Sequence, residues 1–114
     1  MNCVNNYPWY RDWQKAYEGK GVTMIGVHTP ESSGEADIAV VRKKAEENGL
    51  KFPIAIDNER TNWKRWDNRW WPSTYLVDKK GYVRYRWDGE LNWKGAGGQT
   101  IMRRKIDELL REKE

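Results

Sequence analysis

Cys3 is the single cysteine of the sequence, and Pro8 follows it five residues later in Cys3-Val4-Asn5-Asn6-Tyr7-Pro8. A thiol acts as a nucleophile only as thiolate, and the start of a helix favours that charged form. Cys3 lies just ahead of a helical pattern, where some stabilisation of the thiolate is available; the alternative is a small apolar side chain near a terminus. His28 and Glu31 close the first apolar run of the chain. They suit either a proton relay, since histidine titrates near neutrality, or a plain loop beside Thr29-Pro30. One cysteine and one histidine do not compose a tetrahedral metal set. Trp63, Trp66, Trp70 and Trp71 offer either a stacking surface for sugars or single-stranded bases, or core and an apolar rim. Arg65, Arg69, Arg84 and Arg86 read as a solvated face. No glycine-rich phosphate loop, Ser-His-Asp set or pair of catalytic carboxylates stands out.

These residues sit in a chain of 114 residues, the size of one domain spanning residues 1–114. Only 38% of residues are hydrophobic, yet 13% are aromatic and eight are tryptophan. With a mean hydropathy of -1.05, that aromatic content argues against a disordered polar chain. It points to a core built on Trp and Tyr rather than on Leu and Phe. Basic and acidic residues are interspersed, 21 against 17, for a net charge of +4, which describes a mixed surface and not a nucleic-acid-binding stripe. The sequence has neither an apolar run of membrane-spanning length nor the apolar stretch of a signal peptide. A lone cysteine excludes an internal disulfide framework.

Apolar spacing sets the order of elements. Trp9, Trp13, Ala16 and Tyr17 share one helix face, ended by Gly19 and Gly21. Val22 to Val27 reads as a short buried strand. Ser32 and Glu35 form a capping box opening a helix with Ile38, Val41 and Ala45 inward. Phe52 to Ile56 is a second strand, followed by a brief helix holding Trp63 and Trp66. Ser73 to Val77 and Tyr82 to Trp87 flank Asp78-Lys79-Lys80-Gly81 as a hairpin, with Val83, Tyr85 and Trp87 alternating against Arg84 and Arg86. A glycine-rich loop, Gly95 to Gly98, leads to a last helix with Met102, Ile106, Leu109 and Leu110 inward. Crossover helices imply parallel pairing of the early strands, and the hairpin is antiparallel.

Trp71-Pro72-Ser73-Thr74-Tyr75-Leu76-Val77-Asp78-Lys79-Lys80-Gly81 resembles the cis-proline strand and hairpin of thioredoxin-like proteins. Together with Gly21-Val22-Thr23-Met24-Ile25-Gly26-Val27-His28-Thr29-Pro30-Glu31 and Phe52-Pro53-Ile54-Ala55-Ile56-Asp57, it is similar to the redoxin or TlpA-like branch, and to thioredoxin domains associated with DipZ-type membrane proteins. Cys3 to Pro8 resembles the second half of the C-x-x-C-x-x-x-x-P helix of that family, and the resemblance runs from about Cys3 to Leu110. It implies an α/β, thioredoxin-like fold: a mixed sheet flanked by helices, lacking the first central strand and incomplete at its N-terminus. The nucleophilic cysteine of the motif would fall immediately before Met1. Asn6 stands where many relatives have a glutamate, so the proton-transfer role of that acid would be missing.

On this resemblance Cys3 is the resolving cysteine, and Trp71, Pro72 and Ser73 bind substrate, a cis bond at Pro72 turning the backbone of Trp71 toward an extended partner. The implied activity is that of a thiol–disulfide oxidoreductase, weak or absent in a chain without its nucleophile. It implies a protein disulfide as substrate, a protein dithiol as electron donor, and no small-molecule cofactor or metal. Nucleic acid is not an expected partner, and no span would hold this chain in a membrane. A missing central strand would leave open sheet edges, and with them low stability or self-association. The compartment stays open, an extracytoplasmic parent included. Two other readings stand beside this one: a non-catalytic thioredoxin-fold binding module, and a Trp-rich carbohydrate- or nucleic-acid-binding domain.

Overall fold

A computed structural model describes residues 2–30 and 36–113. A 3-10 turn, Asn2–Asn6, runs into helix α1, Tyr7–Ala16, with Pro8 in its first turn. Proline fits there because the first amides of a helix have no partner within it. Trp13 and Tyr17 are buried on the inner face of α1, with Trp9 and Ala16 packed beside them. Strand β1 (Gly26–His28) is followed by helix α2 (Ile38–Glu47), strand β2 (Ile54–Ile56) and the short helix α3 (Thr61–Arg65). Strands β3 (Ser73–Val77) and β4 (Val83–Asp88) come next, then a 3-10 turn at Trp93–Gly95 and helix α4, Gly98–Arg111.

The strands form two separate ladders. β1 pairs in parallel with β2, and β3 pairs antiparallel with β4. Among the described residues no pairing joins the two. Between them lies a cleft of about 770 Å³, flanked by the Val22–Thr29 segment on one side and the Trp71–Lys79 segment on the other. The parallel and antiparallel pairs match the expected mixed topology.

Three sequence expectations need correction. The first strand starts at Gly26 rather than Val22, because the β1–β2 ladder runs only from the Gly26 amide, donating to the Pro53 carbonyl, to the Asp57 amide, donating to His28. It is also far from buried: Ile25 and Val27 are 66% and 48% exposed, with no strand on their far side among the described residues. The second strand likewise begins at Ile54 rather than Phe52, since Pro53 has no amide to give a ladder. The third concerns α2, which starts at Ile38, with the Asp37 carboxylate accepting from the Ala39 amide at 2.9 Å as its N-cap. Ile38 is half-exposed in that first turn, leaving Val41 and Ala45 as the inner positions. The Ser32 and Glu35 capping box lies outside the described residues.

The core joins Trp13 and Tyr17 of α1 to Met102 and Ile106 of α4, with Leu91 wholly buried between them. Aromatic side chains thus form one half of it and aliphatic ones the other. The Tyr17 hydroxyl donates to the Asp107 carboxylate at 2.7 Å. Burial, followed by this bond to a carboxylate, raises the Tyr17 pKa to about 12. In the hairpin, Asp78 accepts from the Lys80 and Tyr82 amides at 2.9 Å each, and Gly81 supplies the left-handed φ of +89 that closes the turn. Lys79 reaches from this turn to the Leu110 and Glu112 carbonyls, at 2.9 and 2.7 Å, and satisfies the end of α4.

Candidate functional site

Pro72 and the turn that contains the Cys3 backbone are both bonded to the segment Gly89–Leu91, just after β4. The Gly89 amide donates to the Pro72 carbonyl at 2.7 Å. Asn5 donates to the Glu90 carboxylate at 2.8 Å. The Leu91 amide donates to the Asn6 side-chain carbonyl at 2.9 Å, in a buried contact. Three consecutive residues therefore hold the proline on one side and the turn containing the Cys3 backbone on the other. The Cys3 side chain lies outside the described residues, so the structure brings together the backbone of this turn and Pro72, not the thiol itself. Tyr7, the first residue of α1, lines the same cleft as Trp71, Pro72 and Ser73.

Asn6 is the residue whose role the sequence did not reveal. It is 1% exposed, accepts from Leu91 and donates to the Tyr10 hydroxyl at 3.1 Å. Its side chain makes no capping bond to α1, being turned toward the neighbouring loop. A carboxamide can accept one bond and donate another at once, and here it does both in a site closed to water. Asn6 thus latches the turn that contains the Cys3 backbone to the segment after β4.

The Trp71–Pro72 peptide is cis, and Pro72 is buried. Trp71 is held on two sides. Its indole N–H donates to the Thr29 carbonyl at 2.7 Å, and its ring stacks on Trp63, with centroids 3.7 Å apart and planes 18° apart. The Arg60 guanidinium lies 5.8 Å from the Trp71 ring centre. Ser73 turns its hydroxyl back to the Trp70 carbonyl at 2.8 Å, closing the loop before β3.

Behind Trp71 sits Asp57, another residue that the sequence reading passed over. Its carboxylate accepts from the Thr29 hydroxyl at 2.8 Å and from the Asn62 and Trp63 amides at 3.0 and 2.9 Å. Burial pushes its pKa upward, but the combined bonds from Asn62, Trp63 and Thr29 outweigh that and hold it below the usual carboxylate range. Asp57 thus ties the end of β1, the end of β2 and the start of α3 into one support for Trp71. The only trace in the sequence was an aspartate closing an apolar run, at Ile54-Ala55-Ile56-Asp57.

The remaining candidates divide. The Trp63 and Trp71 faces cover one another, Trp66 meets Tyr75 edge to face at 4.6 Å, and Trp70 is 60% exposed. That is an apolar rim with one open ring, not a ladder of free stacking faces. His28 lies half-buried at the end of β1, and its proposed companion Glu31 lies outside the described residues. Arg84 bridges Glu112 and Asp78, and Arg86 pairs with Asp88, so both belong to the solvated face. No group of three metal-ligating side chains occurs among the described residues, and none of their helices is long and apolar enough to cross a membrane.

The sequence profile of the AhpC/TSA family matches residues 1–86. The DipZ protein of Mycobacterium bovis is 36% identical over 108 residues, covering 95% of this chain and 15% of DipZ. The thiol-disulfide oxidoreductase ResA of Geobacillus kaustophilus is 32% identical over 82 residues, 72% of this chain and 44% of ResA. This chain therefore spans a small part of DipZ and under half of ResA. Among solved structures, a thiol-disulfide isomerase from Corynebacterium glutamicum superposes with a TM-score of 0.84 at 24% identity, covering 98% of this chain and 74% of that one. A thioredoxin-like protein in its oxidized form gives 0.82 at 22% identity, covering 100% and 72%. With two ladders, flanking helices and a cis-proline hairpin on this frame, the fold is thioredoxin-like, and the chain belongs to the AhpC/TSA family as a redoxin domain.

Proposed function

We propose that this chain is the part of a thiol–disulfide oxidoreductase that carries the resolving thiol, Cys3, and the cis-proline strand, without the nucleophilic cysteine. The observation that supports this best is the Gly89–Leu91 segment, which holds Pro72 and the Asn5–Asn6 end of the Cys3 turn on adjacent residues. The sequence has one cysteine, so the attacking thiol comes from outside these 114 residues. In the complete reaction that thiolate attacks a substrate disulfide, forms a mixed disulfide and releases one substrate thiolate. Cys3, as thiolate, then attacks the enzyme sulfur of the mixed disulfide, releases the second substrate thiolate and leaves an enzyme disulfide. A protein dithiol returns two electrons to that disulfide. Trp71, Pro72 and Ser73 offer backbone to an extended protein substrate, and the exposed Trp70 ring gives that substrate an apolar neighbour. No step calls for a small-molecule cofactor or a metal.

The test is insulin-disulfide reduction by three proteins: this chain, the chain extended by an N-terminal strand and a cysteine directly before Met1, and the extended chain with Cys3→Ser. Turnover is expected only from the second, and the third should stop at a trapped mixed disulfide. An inactive extended chain that folds normally overturns the assignment and leaves a non-catalytic binding module on the same frame.

A further inference from the structure

Charge is unevenly placed around the loop that carries Pro72. From Glu59 to Trp71 there are four basic residues, Arg60, Lys64, Arg65 and Arg69, against two acidic ones, Glu59 and Asp67, whereas the whole chain has 21 against 17. All four cations are exposed. On the hairpin the arginines are matched, Arg84 by Asp78 and Glu112 and Arg86 by Asp88. Around α3 they are not. Lys64 and Arg65 have no ion pair among the described residues. Arg69 meets Asp67 only at 3.8 Å, with side chains 73% and 81% exposed, and a pair of that kind holds little. Asp57 offsets none of this at the surface, because its carboxylate is buried and taken up by Thr29, Asn62 and Trp63.

Two of these cations flank the residues offered to substrate. The Arg60 guanidinium lies 5.8 Å from the centre of the Trp71 ring. It stands on a left-handed backbone, φ +60, a conformation that a bulky residue keeps only where its surroundings hold it. Arg69 directly precedes Trp70, whose ring is 60% exposed. The Trp63–Trp71 stack fastens α3, with Lys64 and Arg65, to the same loop. An open aromatic ring between unmatched cations complements an extended polypeptide that carries carboxylates beside an apolar side chain. Single-stranded nucleic acid takes successive stacking faces, and here Trp63 and Trp71 cover one another.

We infer that the rim from Arg60 to Trp71 selects acidic protein substrates, those with aspartate or glutamate close to the reacting cysteine, Arg60 and Arg69 pairing with the carboxylates and Trp70 packing on the apolar side chain between them. This rests on the oxidoreductase reading and names its substrate class. The probes are eight-residue acetylated and amidated peptides without cysteine, alternating valine with glutamate, glutamine or lysine, and a ten-nucleotide oligothymidylate. Binding is read from the indole N–H resonances of the nitrogen-15-labelled chain, that of Trp70 being assigned through Trp70→Phe. The glutamate peptide should shift the Trp70 signal and bind about 2- to 30-fold more tightly than the glutamine peptide, from two exposed charge contacts of about 1.4- to 5-fold each. The preference should shrink as salt rises from about 0.05 to about 0.5 M. Arg69→Gln should lower it by one such factor, and Arg60→Gln with Arg69→Gln should remove most of it, both leaving the glutamine peptide unaffected. Lys20→Gln with Arg104→Gln removes as much charge from other elements and should leave the preference intact. If Arg60→Gln disturbs the loop, Arg69→Gln decides alone. Equal binding of the glutamate and glutamine peptides, a preference lost equally in the Lys20 and Arg104 variant, or tighter binding of the lysine peptide or of oligothymidylate overturns the inference. No probe contains sulfur, so each of those failures leaves the insulin comparison standing. An inactive extended chain that keeps the glutamate preference overturns the thiol assignment alone.

Discussion

Replacing Asn6 by alanine tests the latch that joins the Cys3 turn to the segment holding Pro72. The substitution removes the acceptor of the Leu91 amide at 2.9 Å and the donor to the Tyr10 hydroxyl at 3.1 Å. Leu91 is 0% exposed and Asn6 1%, so water does not replace the lost acceptor. A buried amide left unpaired costs about 1–3 kcal/mol. Asn6 is the N-cap of α1 and not an interior position, so alanine gains no helix-interior propensity there, and no capping bond is lost, because Asn6 makes none to α1. The net expectation is a loss of about 1–3 kcal/mol, against total stabilities of only ~5–15 kcal/mol for domains generally. Urea unfolding followed by tryptophan fluorescence reads this as a lower midpoint at unchanged slope. Exchange at the Leu91 amide should quicken, and Tyr10→Phe, which spares the Leu91 bond, should not quicken it. Asn6→Ala within about 0.5 kcal/mol of the parent, the scale of an ordinary surface substitution, would refute the latch.

Three further expectations follow from particular contacts. At Gly98 an added Cβ would lie 2.4 Å from the Leu91 carbonyl and 2.6 Å from the Trp87 ring, so Gly98→Ala should destabilise by about 1–3 kcal/mol through overpacking, a gain in thermal midpoint being the contrary result. Thr74→Val removes a buried hydroxyl without a partner at nearly constant shape and should stabilise by about 1 kcal/mol; a loss in urea unfolding would show that the hydroxyl is satisfied. Asp57 has a folded pKa below its unfolded value of about 3.9. Its contribution is therefore complete above that value and disappears as pH falls through the lower folded pKa. Asp57→Asn should lower stability near neutrality and flatten the acid limb of the stability–pH curve, and an unchanged acid limb would argue against the Asp57 bonds.

Much of the architecture was legible in the sequence, because periodicity records which face an element buries. The i, i+4 spacing of Trp13 and Tyr17 and the inner row Met102, Ile106 and Leu109 match buried positions, and Asp78 to Gly81 forms the hairpin turn. The motif around Pro72 marked both the hairpin and the family. Strand limits were not legible, since a run such as Val22 to Val27 records apolarity and not whether a neighbour exists to pair with it. Only the tertiary structure decided that Ile25 and Val27 face an open cleft, that Asn6 reaches across to Leu91, and that Asp57 underpins Trp71. The Leu91–Asn6 and Thr29–Asp57 bonds join residues 85 and 28 apart, and a polar side chain shows no periodicity that would announce a distant partner. Local sequence fixes the direction in which a chain is inclined to fold. Which polar groups are closed off from water together, and which edges are left open, depends on where remote segments meet.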